Sequence, residues 1–559
     1  MNMKRLIKAS MLLMVVTLFA ACANEDVAQD KKKENGTEAP KGGVIFTANG
    51  PKTSAKRLLI GDEDEFAGAK TRTNIKHTPG NGADAYWTSD DFIYVKGKNG
   101  IFQWSTHTEL HDGGASAEFT LPGSMADYTD GCEVRYTGTG AYNYALAPEL
   151  NRVGLVSQYK PTIANNFNDA GGNGDCGSGK AYATGNPDKF NFTLVHKSSY
   201  LCFLPRCENA TLAPNIRLTQ IKLTATKCYS DPSTPLTDYF DFDGETIGPG
   251  GQRLYSSNSI YMNDFSFPLF TTANQEANAV YCVIRPDTYD FKIEYTIKDP
   301  TTNVETTVTQ TLTNVTLKKG EINDITYNIA IQNLDTKFYM WDAKQHFWWG
   351  HLKSDGTPDA PDNNYPKNNT DPRWYHEGVG PFAATESCKG CPNVNEMCWY
   401  VKRGDPHLDF INFVIAENGH LHTLFNTRGI WLKKKSAILR DNPDVSEHRF
   451  SSSFPDKNGT DRDWRTETDL SLFSIPNVSV ISGGTVNLDD YFFLPAFGFY
   501  NSFGALVWKD QFCRYWTSSA APGNWVYHLS TGDLTDPSKQ VLYAGYEHRA
   551  SGQQAYAFE

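Results

Sequence analysis

Between residue 43 and about residue 330, apolar side chains recur at every second position in short runs, and this alternation constrains the fold more than any other feature. Phe92-Ile93-Tyr94-Val95-Lys96, residues 216–225 and Phe291-Lys292-Ile293-Glu294-Tyr295-Thr296-Ile297 alternate apolar with polar residues or carry β-branched and aromatic ones. A period of two puts every second side chain on one face, the pattern of a strand buried on one side and wet on the other. Clusters such as Pro79-Gly80-Asn81-Gly82, Gly171-Gly172-Asn173-Gly174 and Pro249-Gly250-Gly251 break the runs with residues suited to tight turns. The expected fold is mainly β.

A chain of 559 residues exceeds what one hydrophobic core serves, so about two to four domains are expected. Asn186-Pro187-Asp188, followed by a fresh strand signal at Phe190, places a boundary near Gly185. After residue 332 the composition shifts to Trp341, Trp348, Trp349 and Trp374 within a polar run. The expected partition is residues 43–185 and 186–332 as two β-sandwiches and 333–559 as a mixed α+β domain. Residues 406–416, where Leu408, Ile411, Phe413 and Ile415 mix two spacings, are expected to form a helix. Phe492, Leu494, Phe497 and Trp516 are expected in the core of the third domain.

Residues 1–21 have the form of a secretory signal: Lys4, Arg5 and Lys8 precede an apolar stretch too short to span a bilayer. Phe19-Ala20-Ala21-Cys22 resembles a lipobox, which implies diacylation of Cys22 and an outer-membrane lipoprotein precursor. Residues 22–42 are polar and charged and form a flexible tether. A net charge of −12 argues against a nucleic-acid partner, which would need clustered positive charge.

Chemistry-bearing motifs are sparse. Beyond Cys22, the cysteines fall as Cys132 and Cys176; Cys202, Cys207, Cys228 and Cys282; and Cys388, Cys391, Cys398 and Cys513. Even clusters in an exported chain point to disulfides within domains, with reduced thiols as the alternative. Cys388-Lys389-Gly390-Cys391 has zinc spacing, but a second such pair is missing. His420 and His422 share a strand face, which suits a metal but more often just faces solvent. Asp456, Asn458, Asp461 and Asp463 cluster oxygen donors around Gly459, as calcium loops do, although the spacing departs from the EF-hand pattern. Trp348, Trp349 and Trp374, with Trp341 and Tyr375, form either an aromatic binding platform or the packed edge of the domain. No nucleophile motif is present, and no enzymatic activity, cofactor or firm metal site is expected.

Taken in order, the lipobox and tether, the strand Gly43-Val44-Ile45-Phe46-Thr47, Lys70-Thr71-Arg72-Thr73, Trp87-Thr88-Ser89-Asp90-Asp91-Phe92, Tyr142-Asn143-Tyr144-Ala145-Leu146-Ala147-Pro148, Phe192-Thr193-Leu194-Val195-His196-Lys197 and Ile284-Arg285-Pro286 resemble the fimbrillin family, the type V pilins of Bacteroidales. The resemblance implies two transthyretin-like sandwiches and assembly by donor-strand exchange. An arginine-specific protease removes the first strand, here Val44, Ile45 and Phe46, cutting at Arg57 or, as second choice, Arg72. A strand from another pilin subunit then fills the groove.

Residues 340–559 are similar to C-type-lectin-like modules, through Gly429-Ile430-Trp431-Leu432, Tyr491-Phe492-Phe493-Leu494-Pro495-Ala496 and Tyr515-Trp516-Thr517-Ser518-Ser519. The calcium- and sugar-holding signatures of true C-type lectins are missing, so the fold can be present without that site. Together the resemblances imply a tip pilin that accepts a strand and presents its last domain to a host or bacterial surface glycan or protein. The alternative is a monomeric, lipid-anchored glycan-binding protein that keeps Cys22.

Overall fold

The computed structural model describes residues 43–48, 58–60, 74–78, 82–138, 150–248, 256–354, 356–483, 486–487 and 490–558. The first sheet has eight strands in the order Phe102–Trp104, Tyr94–Lys96, Cys132–Tyr136, Gly177–Ala183, Lys189–His196, Val44–Ala48, Ser116–Leu121, His107–His111. Alternation decides which side chains go inward: Val44, Phe46 and Ala48 are buried while Ile45 and Thr47 are half-buried. Phe119 and Leu121, Val134 and Tyr136, and Phe190 and Phe192 follow the same rule and meet around Phe46 and Trp87.

The strand expected to open the second domain belongs to this first sheet. Lys189–His196 pairs with Gly177–Ala183 on one side and Val44–Ala48 on the other. The expected boundary at Gly185 therefore falls inside a hairpin turn, where Gly185 and Asp188 take positive φ of 82° and 69°. Turn-forming residues serve a hairpin and a linker alike, so turn composition does not separate the two.

The second unit packs two sheets face to face. One runs Gln158–Tyr159, Ser259–Met262, Arg217–Cys228, Thr288–Lys298, Glu305–Thr316; the other runs Val280–Ile284, Ser199–Arg206, Ile322–Asn328, Leu58–Ile60. Ile221, Leu223, Ile293 and Tyr295 of the first meet Leu201, Phe203, Cys282 and Ile325 of the second in one core. The other face of Ser199–Arg206 is buried as well. Phe167, from a connecting segment, and Phe240, from the short strand Tyr239–Asp241, cover Tyr200, Cys202 and Tyr281 there, with Phe167 stacked on Tyr281 at 5.1 Å.

Residues 333–558 form a third, mixed unit. A six-stranded sheet orders Phe338–Tyr339, Gln553–Gln554, Arg514–Ala520, Trp525–Thr531, Val541–His548, Val478–Ser479. A four-stranded sheet orders Ile481–Ser482, His407–Glu417, His420–Lys433, Tyr491–Pro495. The helix Val394–Arg403 packs on both sheets through Met397, Trp399, Tyr400 and Val401. Phe492, Leu494 and Trp516 are buried, and the half-buried Phe497 packs against the core. Tyr556 and Phe558 are also buried in it.

The helix expected over 406–416 is the strand His407–Glu417, paired along its length with His420–Lys433. Phe410, Ile411, Phe413, Val414 and Ile415 are β-branched or aromatic, and the long partner strand settles the contest in favour of the sheet. The true helix lies wholly before that segment: it begins at Val394 with a capping box between Asn393 and Glu396 and ends on Lys402, Arg403 and Gly404.

The tip of this long hairpin is sunk into the second unit. Ala416 and Leu421 are fully buried in that unit's core. Asp299 accepts from His420 Nδ1 at 2.9 Å and from the Leu421 amide at 3.1 Å, and Asn215 donates to the Gly419 carbonyl at 2.8 Å. Burial alone would raise the Asp299 carboxyl, but donors from Leu421, His420, Thr301 and Thr302 hold it below the usual carboxylate range.

His528 lies at 3% exposure in the third unit, 3.1 Å from Gln553 Oε1. Burial first, and then the nearby Arg514 charge, push its pKa down to about 4. The unfolded imidazole, with a pKa of about 6.5, takes a proton that the folded one refuses. Its contribution to stability is thus complete above about pH 6.5 and is lost as the pH falls toward about 4. The melting temperature of this unit is expected to drop between about pH 7 and about pH 5, and His528→Gln to flatten that slope, as scanning calorimetry at several pH values would register.

Candidate functional site

Two places combine special position with accessible chemistry. The first is the strand Val44–Ala48, which lies inside its sheet. It pairs in parallel with Lys189–His196 from Ile45↔Lys189 to Ala48↔Phe192, and antiparallel with Ser116–Leu121 from Val44↔Leu121 to Ala48↔Ala117. Phe46 is fully buried, stacked on Phe190 at 4.7 Å and edge-on to Tyr128 at 5.2 Å. Above it, Lys189 Nζ and Thr47 Oγ1 both reach Glu118 Oε1, at 2.9 and 3.4 Å.

The next described strand, Leu58–Ile60, belongs to the other unit, in parallel register with Ile322–Asn328 at a sheet edge. The chain thus passes from one sheet to another between residues 48 and 58. Cys22, Arg57 and Arg72 lie outside the described residues.

The second place is a cleft of about 590 Å³ in the third unit. Its floor is built on Asp342, whose buried carboxylate accepts from His376 Nδ1 at 2.8 Å and from the amides of Thr385, Glu386 and Cys388 at 2.7, 2.7 and 3.2 Å. Asp371 is held by the buried Arg373, with Oδ2 at 2.6 Å from Nη2. Trp374 Nε1 and Asn369 Nδ2 each donate to Glu377, at 3.1 and 3.0 Å.

From the cleft an aromatic ribbon leads outward. Trp374 lies 4.7 Å from Tyr375, Tyr375 5.7 Å from His548, His548 6.1 Å from Trp525, and Trp525 5.9 Å from Tyr546, all between ring centroids. Trp525 is 43% and Tyr546 48% exposed. Strand register creates this: Trp525 sits directly opposite His548 and diagonal to Tyr546.

Behind the ribbon lies Arg549, at 0% exposure. Its guanidinium donates to the carbonyls of Trp525, His376, Gly378 and Gly523 and lies 4.9 Å from the ring centroids of both Trp341 and Phe382. Desolvation lowers its pKa, and among the described residues no carboxylate pairs with it.

The expected platform is therefore redrawn. Of Trp348, Trp349 and Trp374, only Trp374 lines the cleft. Trp348, at 4% exposure, packs with Phe347 and Tyr500, because a ring at the domain edge gains most by burial. Trp349 is exposed but is not among the cleft residues. Trp525, Tyr546 and His548 carry no local signal of a shared site, because only strand pairing brings residues 525 and 548 together.

The ten cysteines from Cys132 onward are all buried free thiols, so the expected disulfides are not formed. Cys388 is fully buried, and desolvation and then the hydrogen-bonded Cys391 raise its thiol well above the usual range. Cys398 lies in the helix and Cys513 donates to the Leu494 carbonyl at 3.3 Å, so the four do not assemble a zinc site.

The calcium candidates are corrected too. Asp456, Asp461 and Asp463 are each bound to an arginine, Arg462, Arg449 and Arg465 respectively, and Asn458 donates its amide to Asp456. Carboxylates neutralised one by one do not converge on an ion. Among the described residues, the group whose donor atoms do lie within 4.8 Å of one another is Glu109, His111 and Glu118, on the edge hairpin of the first sheet. His420 is taken by Asp299.

No protein-family profile matches the chain and no curated protein does. Solved structures offer distant likenesses. A proposed cell adhesion protein from Bacteroides ovatus is 14% identical, with a TM-score of 0.27, over 50% of this chain and 94% of its own. Another from Bacteroides fragilis is 10% identical, with a TM-score of 0.27, over 52% and 94%. The fimbrial anchor protein Mfa2 from Porphyromonas gingivalis is 11% identical, with a TM-score of 0.18, over 45% and 82%.

Proposed function

We propose that the protein is an adhesive subunit of a surface fimbrium. In this reading it is exported as a lipoprotein precursor anchored through Cys22 to the outer membrane and freed by cleavage at Arg57 or, failing that, Arg72. The observation that carries the proposal is the central place of Val44–Ala48. Once cut from the rest of the chain, these residues are held only by hydrogen bonds and packing. Their loss leaves two facing strand edges and an uncovered core, a template for a strand of another subunit.

Residues 553–558 are tied into the third unit, where Gln553–Gln554 pairs with the Phe338–Tyr339 strand and Tyr556 and Phe558 are buried. That stretch cannot serve as a donor strand without opening the unit. In this reading the subunit sits at the fibre tip, with the third unit, read as C-type-lectin-like, acting as a binding head and not as an enzyme.

The test is digestion of the purified full chain with an arginine-specific protease, followed by N-terminal sequencing and incubation with a synthetic peptide of residues 43–49 carrying a fluorophore. A new N-terminus at Leu58 or Thr73, with exchange of the labelled peptide into the cut protein alone, is the expected result. Material extracted from cells that still begins at lipidated Cys22, combined with no exchange after cutting, would instead identify a permanently anchored monomer.

A further inference from the structure

We propose that the aromatic ribbon and the polar cleft it enters form one extended site for a neutral oligosaccharide. A sugar ring presents an apolar C–H face bounded by hydroxyls that both donate and accept. It is matched by exposed aromatic faces beside carboxylate and amide side chains. Both halves of that match are here. Trp525 and Tyr546 are about half exposed and reach, through His548 and Tyr375, to Trp374 at the cleft. Asn369, Glu377 and Glu386 stand exposed in the lining.

The span favours several sugar units over one, because the ribbon takes three ring-to-ring steps of 5.7–6.1 Å to reach Tyr375 in the cleft lining and one more of 4.7 Å to Trp374. Charge selects among glycans. Asp371 is spent on Arg373, whereas Glu386 has no ion-pair partner among the described residues and Lys344 is the only lysine or arginine in the lining. The field at the mouth is negative and repels sialylated or sulfated chains. An extended peptide would instead look for a row of side-chain pockets or unpaired backbone groups. The cleft offers side-chain oxygens and amides.

The site is pre-built. Asp342 fixes the 385–388 turn, and Arg549 ties together the 376–378 and 523–525 segments that carry His376 and Trp525. Pre-organisation of this kind lowers the ordering cost of binding.

The proposal gives the adhesive reading its ligand class, yet its test touches only the third unit and is indifferent to strand exchange. Full-length protein is applied to an immobilised array of neutral, sialylated and sulfated oligosaccharides, and positives are followed by tryptophan fluorescence titration. Binding confined to neutral oligosaccharides is expected. Trp525→Ala and Tyr375→Ala should each weaken it about tenfold, and Trp525→Phe less, with thermal melts matching the parent. No binding to any neutral glycan, preference for the anionic ones, or affinity unchanged in a correctly folded Trp525→Ala/Tyr375→Ala double variant would each overturn it. If glycan binding holds while the protease test fails, the anchored monomer is the correct frame; the reverse outcome leaves a fimbrial subunit with another ligand.

Discussion

Replacing Phe46 by alanine is expected to lower the stability of the first unit by about 3–5 kcal/mol, the usual cost of deleting a fully buried phenylalanine. The ring is stacked on Phe190, meets Tyr128 edge-on and has 0% exposure. Little can collapse into the space it leaves, since backbone ladders fix its strand on both sides. The corresponding fall in melting temperature is roughly 10 °C or more. Differential scanning calorimetry would show the loss in one transition, with those of the other units in place. Thr47→Ala, at a half-buried neighbour bonded only to Glu118 at 3.4 Å, should shift the same transition little. Equal effects of the two substitutions would mean that Val44–Ala48 does not close this core.

Arg549→Met is expected to destabilise the third unit by about 3 kcal/mol and to loosen the ribbon with it. Methionine keeps the bulk but removes the donor of the His376 and Gly378 carbonyls, while those of Trp525 and Gly523 keep the amides of Ala521 and Gly380. Each unmet buried acceptor costs about 1–3 kcal/mol, less where water can reach it. Removing a buried charge offsets part of this, because the guanidinium itself is desolvated. Arg549→Lys should recover little, as an ammonium cannot reach the carbonyls of both segments with the geometry of a guanidinium fork. Thermal melts and proteolytic nicking around residues 376–382 would report it. A methionine variant as stable and as protease-resistant as the parent would show that Arg549 merely fills space.

How far the sequence revealed these sites varied with the range of the interactions. Alternation is local, so Val44, Phe46, Ile293 and Tyr295 could be placed inward from the residues alone, and they are buried. The capping box at Asn393 and Glu396 is equally local, whereas at 406–416 spacing alone does not separate two periods and a fourteen-residue partner strand decides for the sheet. The turn at 186–188 looked like a linker because turn chemistry is blind to whether the next strand pairs back or leaves for another domain. Trp348 and Trp525 show the same limit for the site: one aromatic in a polar stretch is buried, while another inside a strand is exposed, and only packing and register tell them apart. An even count of cysteines along the chain says nothing of their separation in space. Cys398 and Cys513, grouped with Cys388 and Cys391, hold different places in the core.

The seating of the 416–421 hairpin tip in the second unit bears on mechanics. Ala416 and Leu421 are locked inside the neighbouring core and Asp299 grips the turn, so the junction behaves as a keyed joint and not as a swivel. A load applied to the far end of the third unit runs down His407–Glu417 and His420–Lys433 as tension along paired strands. Extraction of the hairpin tip then requires its buried contacts and the Asp299 bonds to fail together, so the second and third units resist separation as one step.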